Sequence, residues 1–280
     1  MNKINIFTAY NNTKKLLRAA GIEDFATEAR YIIRHVTGYD NAKILTNYAD
    51  ELTPLQQTVL NNIVSRRATR YPLQYILGVW QFYGLDLFVG KGVLIPRSDT
   101  ETLVDKALEF LKGKEHANVL DLCAGSGCIG IAVAKNADCR VTAVEKSPEA
   151  YEYLEKNNHR HGNCISAVLA DAFEYTPTEQ FDLITCNPPY ISESELSLMN
   201  KETEFEPSEA LFASDNGLEF YKRLIPKYKP LLKSGGALIM EIGCSQGEAV
   251  KDIFEAAGFE NIECLCDYGG NQRVVFGTAK

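Results

Sequence analysis

The 280-residue sequence predicts a doubly wound, mostly parallel α/β sheet preceded by a small all-helical domain. Three observations carry this expectation. Apolar residues recur at three- and four-residue spacing through about the first 70 positions, the periodicity of amphipathic helices. From Thr100 onward, short apolar β-branched runs alternate with amphipathic stretches, the pattern of repeated strand–helix crossovers. Between the two lies "YPLQYILGVWQFYGLDLFVGKGVLIPR", where aromatic and β-branched residues are punctuated by glycine, which reads as short strands in a hairpin rather than as helix.

Taken in order, "TKKLLRAAGI" is a helix closed by Gly21, "DFATEARYIIRHVTGY" a helix closed by Gly38, and "TPLQQTVLNNIVSRRATR" a helix opened by a Thr-Pro start signal. Residues 1–72 therefore form a helical domain, residues 73–96 a β-hairpin connector, and residues 97–280 the α/β domain. In the last, helix "TETLVDKALEFL" precedes strand "ANVLDLC", helix "CIGIAVAKN", strand "RVTAVE", helix "SPEAYEYLEKNNHRHG", and strands "ISAVLAD" and "FDLITC". A polar loop follows, then helix "GLEFYKRLIPKYKPLLK", strand "GALIMEIG", helix "SQGEAVKDIFEAAGF" and closing strands "IECLCD" and "QRVVFGT".

Composition narrows the function. The chain is 45% hydrophobic and 24% charged, ordinary for a globular protein. No apolar run approaches the roughly 20 residues that span a bilayer, and "MNKINIFTAYNNTKKLL" is too polar for a secretory signal, so a cytoplasmic protein with no membrane partner is expected. Its eight cysteines fall mostly in apolar segments without zinc spacing and read as reduced, structural thiols, so no metal is expected. His159 and His161 read as surface residues. The net charge of −8 argues against gripping a phosphate backbone, and "SRRATR" at 65–70 reads as a solvated helix end.

"VLDLCAGSGCIG" is a strand, a glycine-rich turn and a helix start in which Gly125, Gly127 and Gly130 satisfy GxGxxG. Glu145 ends the next strand, where an acid can bind ribose hydroxyls, so a nicotinamide dinucleotide satisfies the fingerprint. Two carboxylates favour S-adenosylmethionine instead. Asp121 stands on the strand just before the turn, suited to an ammonium, and Asp171 ends the strand after Glu145, suited to an adenine amino group.

The apolar strand "FDLITC" runs directly into Asn187, Pro188, Pro189 and Tyr190. Proline lacks a backbone N–H and has a fixed φ, so the two prolines make a stiff segment whose carbonyls are acceptors without competing donors. The Asn187 side-chain oxygen adds an acceptor, and Tyr190 offers a flat face. Together they can hold a planar –NH₂ by both hydrogens, its lone pair aimed at an electrophilic sulfonium methyl. Catalysis then rests on alignment, an effect worth about 7–11 kcal/mol in favourable systems.

With NPPY following such a glycine loop, the sequence resembles the S-adenosylmethionine-dependent amino-methyltransferases. The stretches "YPLQYILGVWQFYGLDLFVGKGVLIPRSDTETLVD", "FEPSEALFASDNGLEFYKRLI", "GGALIMEIGCSQ" and "DYGGNQRVVF" narrow the resemblance to the peptide chain release factor glutamine methyltransferase family, over essentially the whole chain. It implies the Rossmann-like class I methyltransferase fold, and methyl transfer to the side-chain amide of the glutamine in the Gly-Gly-Gln motif of class 1 release factors, with S-adenosylhomocysteine as product. By position, Cys123, Ala124, Gly125, Ser126 and Gly127 match the cofactor loop, Glu145 the ribose ligand, and Asn187, Pro188, Pro189 and Tyr190 the substrate-amide cradle, Asn187 bordering the cofactor as well. Arg97 and Glu101 match a signature on the substrate side of the pocket, and Glu206 the turn after the NPPY loop. The sequence departs from the family at Cys123, where glycine is common, at Glu145 (aspartate), at Ser98 (proline) and at Ala172, where an aromatic can pack on adenine; Phe173 can compensate.

The resemblance also implies a monomer whose helical domain helps to dock a release factor, with no direct nucleic-acid partner. The residues alone leave two alternatives besides a nicotinamide-dependent enzyme, which the glycine fingerprint also permits. An exocyclic amine of adenine or guanine in RNA or DNA is also a planar –NH₂, and a cofactor-binding protein without turnover would carry the same glycine loop.

Overall fold

A computed structural model describes residues 4–196 and 199–280, which divide into two compact units: Met1–Val79 with Asn200–Phe205, and Trp80–Met199 with Glu206–Lys280. The helical unit contains α1 (Ile6–Ala19), α2 (Phe25–Thr37), α3 (Asn41–Thr46), α4 (Pro54–Ala68) and α5 (Leu73–Leu77). Sequence-local signals set their ends. The Asn5 side chain caps α1, Thr53 and Gln56 form a reciprocal capping box ahead of Pro54, and Gly38 closes α2 in the left-handed region. Ile6, Leu17, Ile32, Ile33 and Ile63 build one buried core.

Two expectations are corrected in this unit. The segment after Pro72 is helical before any strand begins: Leu73, Ile76 and Leu77 share the spacing of a helix face, and Leu73 is buried in the helical core. The basic segment at 65–70 is not a solvated end. Arg67 is buried, its Nε 2.6 Å from Glu28 and its Nη2 2.8 Å from Glu202, while Arg70 also reaches Glu202 at 2.7 Å. Two arginines sharing one carboxylate hold Asn200–Phe205 to this unit, where Phe205 also meets Tyr71 edge-on.

The second unit begins with the hairpin β1 (Val79–Phe82) and β2 (Leu85–Phe88), joined by Tyr83 and Gly84, both at positive φ as a type I′ turn requires. Five strands run parallel: β3 (Ala117–Leu122), β4 (Cys139–Glu145), β5 (Ser166–Leu169), β6 (Phe181–Cys186) and β7 (Leu232–Glu241). β8 (Glu260–Cys266) and β9 (Gln272–Thr278) add an antiparallel edge, giving the order β5-β4-β3-β6-β7-β9-β8. Both faces are covered, which is why the strands read as continuous apolar runs. Val119, Leu183 and Ile239 share a core with α6 (Glu101–Leu111), α7 (Cys128–Asn136) and α8 (Pro148–Arg160). Leu120, Ile184 and Met240 share the other with α10 (Glu219–Tyr228) and α11 (Gly247–Ala256), the short α9 (Glu193–Leu196) lying in the loop after β6. Helix α10 stops at Tyr228, short of the predicted end, because Pro230 lacks an N–H and the chain enters β7 at Leu232.

Strand order reverses between β3 and β6, so a crevice opens at their carboxyl ends. Among the described residues no helix is long and apolar enough to cross a membrane. All eight cysteines are free thiols, but only Cys186 is fully buried, and Cys244 and Cys266 are exposed.

Candidate active site

At the end of β3 the chain turns through Cys123, Gly125 and Gly127, all at positive φ, before α7 begins. The Ala124 N–H donates to Val144 O (3.0 Å) and the Gly127 N–H to Ala124 O (2.8 Å), tying the loop to the end of β4. A left-handed conformation costs a non-glycine residue about 1–2 kcal/mol, a strain that Cys123 carries at the start of the turn.

Asp121 lies beneath this turn and does not reach the crevice. It is wholly buried, with Oδ1 accepting from the Thr185 hydroxyl (2.8 Å) and Oδ2 from the Gly130 N–H (3.0 Å). Gly130 makes this possible, since a Cβ there would stand 3.1 Å from Oδ2. Burial pushes the Asp121 carboxyl up to about 7 against the pull of those two donors. The carboxylate expected to face an ammonium thus anchors the base of the loop.

Glu145 ends β4 and folds back on the loop: Oε2 accepts from the Gly125 N–H and Oε1 from the Ser147 N–H, each at 2.7 Å. Burial raises its carboxyl and these amides oppose the rise. Each oxygen retains a further acceptor position. Asp171, beyond β5, accepts from the Phe173 N–H (2.8 Å) and pairs with Lys146 (2.8 Å). Burial raises its carboxyl, but Lys146 and the amide outweigh this, and the net shift is downward. Ala172 is buried, its carbonyl accepting from the Tyr228 hydroxyl (2.8 Å), while the Phe173 ring packs between Phe220 and the Arg223 guanidinium.

A small cleft, partly open to solvent, lies at the switch point. Of the predicted residues it is lined by Arg97, Cys123, Ala124, Gly125, Ser126 and Asn187. Asp121, Gly127, Glu145, Asp171, Ala172 and Phe173 lie outside that lining, as do Pro188, Pro189 and Tyr190. Glu101 also stands apart, accepting from the Tyr83 N–H of the hairpin at 2.8 Å. Glu206 is buried, with one oxygen on the Ile95 N–H (3.0 Å) and the other on the Arg97 guanidinium, so it steadies Arg97 at the cleft wall.

A family profile described as the PrmC N-terminal domain matches residues 8–78, and one described as the methyltransferase small domain matches residues 100–214. The release factor glutamine methyltransferase of Geobacter sulfurreducens is 38% identical over 267 residues, 95% of this chain and 93% of its own. Its Escherichia coli K12 counterpart is 37% identical over 252 residues, 89% of this chain and 91% of its own. This chain belongs to the release factor glutamine methyltransferase family. Solved structures carry the fold alone: a Pyrococcus furiosus methyltransferase superposes with a TM-score of 0.52 at 18% identity over 80% of this chain and 96% of its own. A T. thermophilus 16S rRNA N2 G1207 methyltransferase does so at 0.53 and 18% over 72% of this chain and 50% of its own.

In this release factor glutamine methyltransferase family member, the NPPY loop is braced by residues that the sequence reading did not single out. The Tyr190 carbonyl accepts from Gln246 Nε2 (3.0 Å), and Gln246 Oε1 accepts from the Gly243 N–H (2.9 Å). The Tyr190 hydroxyl donates to Glu241 Oε1 (3.1 Å), and burial beside that carboxylate holds the phenol well above its ordinary range. Glu241 is itself raised by burial, opposed by the Thr100 hydroxyl, Arg273 and Tyr190. Asn187 Nδ2 lies 3.4 Å from Thr100 Oγ1. The one available signal was a carboxylate and a glutamine inside the apolar stretch "GGALIMEIGCSQ", where a buried charge needs a purpose.

Proposed function

We propose that this enzyme transfers a methyl group to the side-chain amide nitrogen of the Gly-Gly-Gln glutamine in class 1 release factors. Support comes from the activity for which the family is named together with one observation: Asn187 borders the same cleft as the glycine loop, at the switch point of the sheet.

The residues present suit S-adenosylmethionine. Ser126 lines the cleft with its Oγ buried and without a well-aligned partner among the described residues, and the adjoining start of α7 is an electropositive terminus suited to a carboxylate. Glu145 and Asp171 provide acceptors for ribose hydroxyls and an adenine amine. Bound there, that group supplies an electrophilic methyl. The protein's part is to hold and aim the nucleophile. Asn187 Oδ1 and the carbonyls of the proline segment accept the two amide protons, raising electron density on the nitrogen, and Tyr190 restrains the planar group. Arg97, steadied by Glu206, belongs on the substrate side. The helical unit docks the protein substrate, for which its exposed Phe7, Leu16, Leu45 and Leu55 supply apolar contact.

Intact-mass measurement of an unmethylated class 1 release factor tests the reading, beside a Gly-Gly-Ala control. A single added methyl on the first and none on the second is expected, with the Asn187→Ala enzyme at least about a hundredfold slower but still binding cofactor. Equal methylation of both proteins, or full turnover by Asn187→Ala, overturns it.

A further inference from the structure

Asn157, near the end of α8, is wholly buried and commits its side-chain amide to backbone outside its own helix. Its Oδ1 accepts from the Phe88 N–H at 2.6 Å, while its Nδ2 donates to Phe88 O at 3.1 Å and to Ser126 O at 2.9 Å. Backbone donors and acceptors do not exchange roles, so the orientation of this amide is fixed. It grips the end of β2 with two bonds and the glycine turn with the third.

On the turn side, the Ser126 carbonyl precedes the first helical acceptor of α7, Gly127 O, which takes the Ile131 N–H at 2.9 Å. The N–H four residues beyond Ser126, that of Gly130, is held by Asp121 at 3.0 Å, and Asn157 supplies a donor to the Ser126 carbonyl. The same peptide group donates its other end, the Gly127 N–H, to Ala124 O at 2.8 Å. Bonds at both ends thus fix one peptide plane in a turn where Gly125 and Gly127 both stand at positive φ. On the hairpin side, residues 86–92 run along α8 in the opposite sense. His161 Nε2 lies 3.0 Å from Asp86 O, and Asn157 takes Phe88. A Cβ at Gly90 would stand 3.0 Å from Tyr153 Cζ, and one at Gly92 would stand 2.9 Å from Glu149 Cβ. Glu149, Tyr153, Asn157 and His161 recur at four-residue spacing, a single stripe along the helix. The strap continues into Leu94, Pro96 and Arg97, which line the cleft that Ser126 also lines.

We infer that Asn157 is a positioning residue that holds the glycine turn and the strap leading to Arg97 in one fixed relation, so that filling the cofactor site stiffens the substrate side of the cleft. The inference rests on the reading of that turn as the S-adenosylmethionine site. Asn157 is not among the residues lining the cleft and acts through Ser126 and Phe88. A ligand that orders Ser126 restrains the Asn157 amide, and the same amide restrains Phe88. Removing the amide leaves each segment to its own packing and uncouples the two.

Amide hydrogen exchange and calorimetry on the full chain test this, with S-adenosylhomocysteine as the probe. In wild type, saturating probe is expected to slow exchange at 123–128, and to slow it at 86–90 about tenfold more than in β9, whose amides report overall stabilisation. Asn157→Ala is expected to abolish that excess slowing at 86–90 and to raise the Kd of the probe about tenfold. Phe254→Leu, a core substitution in α11 that lowers stability, serves as control and should keep the excess slowing, with a Kd within about threefold of wild type. Exchange at 86–90 that merely follows β9 in wild type overturns the inference, as does a Kd for Asn157→Ala no higher than that of the control. Should Asn157→Ala not fold, the wild-type exchange carries the test alone. Failure of wild type to bind the probe at all overturns instead the cofactor reading on which the inference rests.

Discussion

Asp121 shows how a residue type can be read correctly while its direction is not. A carboxylate before a glycine turn signals a constraint on the turn, but its orientation depends on Gly130 and Thr185. Its folded pKa of about 7 exceeds the ordinary 3.8, so the folded state holds a proton that the unfolded chain has released between those values. The contribution of this group to stability is therefore greatest at low pH and is lost as pH rises toward and through about 7. Thermal or urea unfolding of wild type and Asp121→Asn from pH 5 to 8 should show the variant gaining on wild type as pH rises, by an amount bounded at roughly 4 kcal/mol. A pH-independent difference would contradict that account. Asn187 and the glycine loop were legible because their chemistry lies in contiguous residues; Thr100 and Glu241 were not, because hydroxyls and carboxylates acquire meaning only from neighbours.

Elements close to the site are packed to tolerances that single atoms exceed. Gly217 has φ of +82°, and a Cβ there would fall 2.2 Å from the Tyr190 carbonyl oxygen and 2.5 Å from Gln246 Nε2. Gly217→Ala should cost about 2–4 kcal/mol in overpacking and backbone strain and reduce methyl transfer, although position 217 is no part of the cradle. Urea unfolding with parallel turnover measures both; a stable variant with full turnover would show that the loop does not need this brace. In the helical unit, Arg67 is enclosed between Glu28 and Glu202. Its truncation to alanine should cost about 2–3 kcal/mol, below the figure for a wholly buried pair because those acids are 17% and 21% exposed. An Arg67→Ala unfolding curve that overlays wild type would reduce the pair to a surface contact. The early helices were legible from their caps and periods. The turn at Leu73–Leu77 was misread because aromatic and β-branched neighbours suit a strand when viewed locally, whereas its apolar face is claimed by the helical core.

At the scale of the whole molecule, a net charge of −8 bears on substrate choice. A protein substrate predicts that binding to RNA or DNA oligonucleotides stays weak and has a shallow salt dependence. Fluorescence anisotropy between about 50 and 200 mM salt measures it, and a slope of several released counterions would favour a nucleic-acid amine instead. The doubly wound sheet was legible from sequence, since helix and strand periods are local and crossovers repeat. Periodicity, caps, the glycine turn and the proline-stiffened segment are properties of neighbouring residues, so the sequence by itself determined the fold class and the order of those motifs along the chain. The tertiary structure alone decided that Asp121 is buried beneath the glycine turn, that Glu101 meets the hairpin, that Arg67 is buried, and that Glu241 meets the NPPY loop. Each of those depends on groups far apart in the chain, and the strand order and close packing that bring them together are not written in any local pattern.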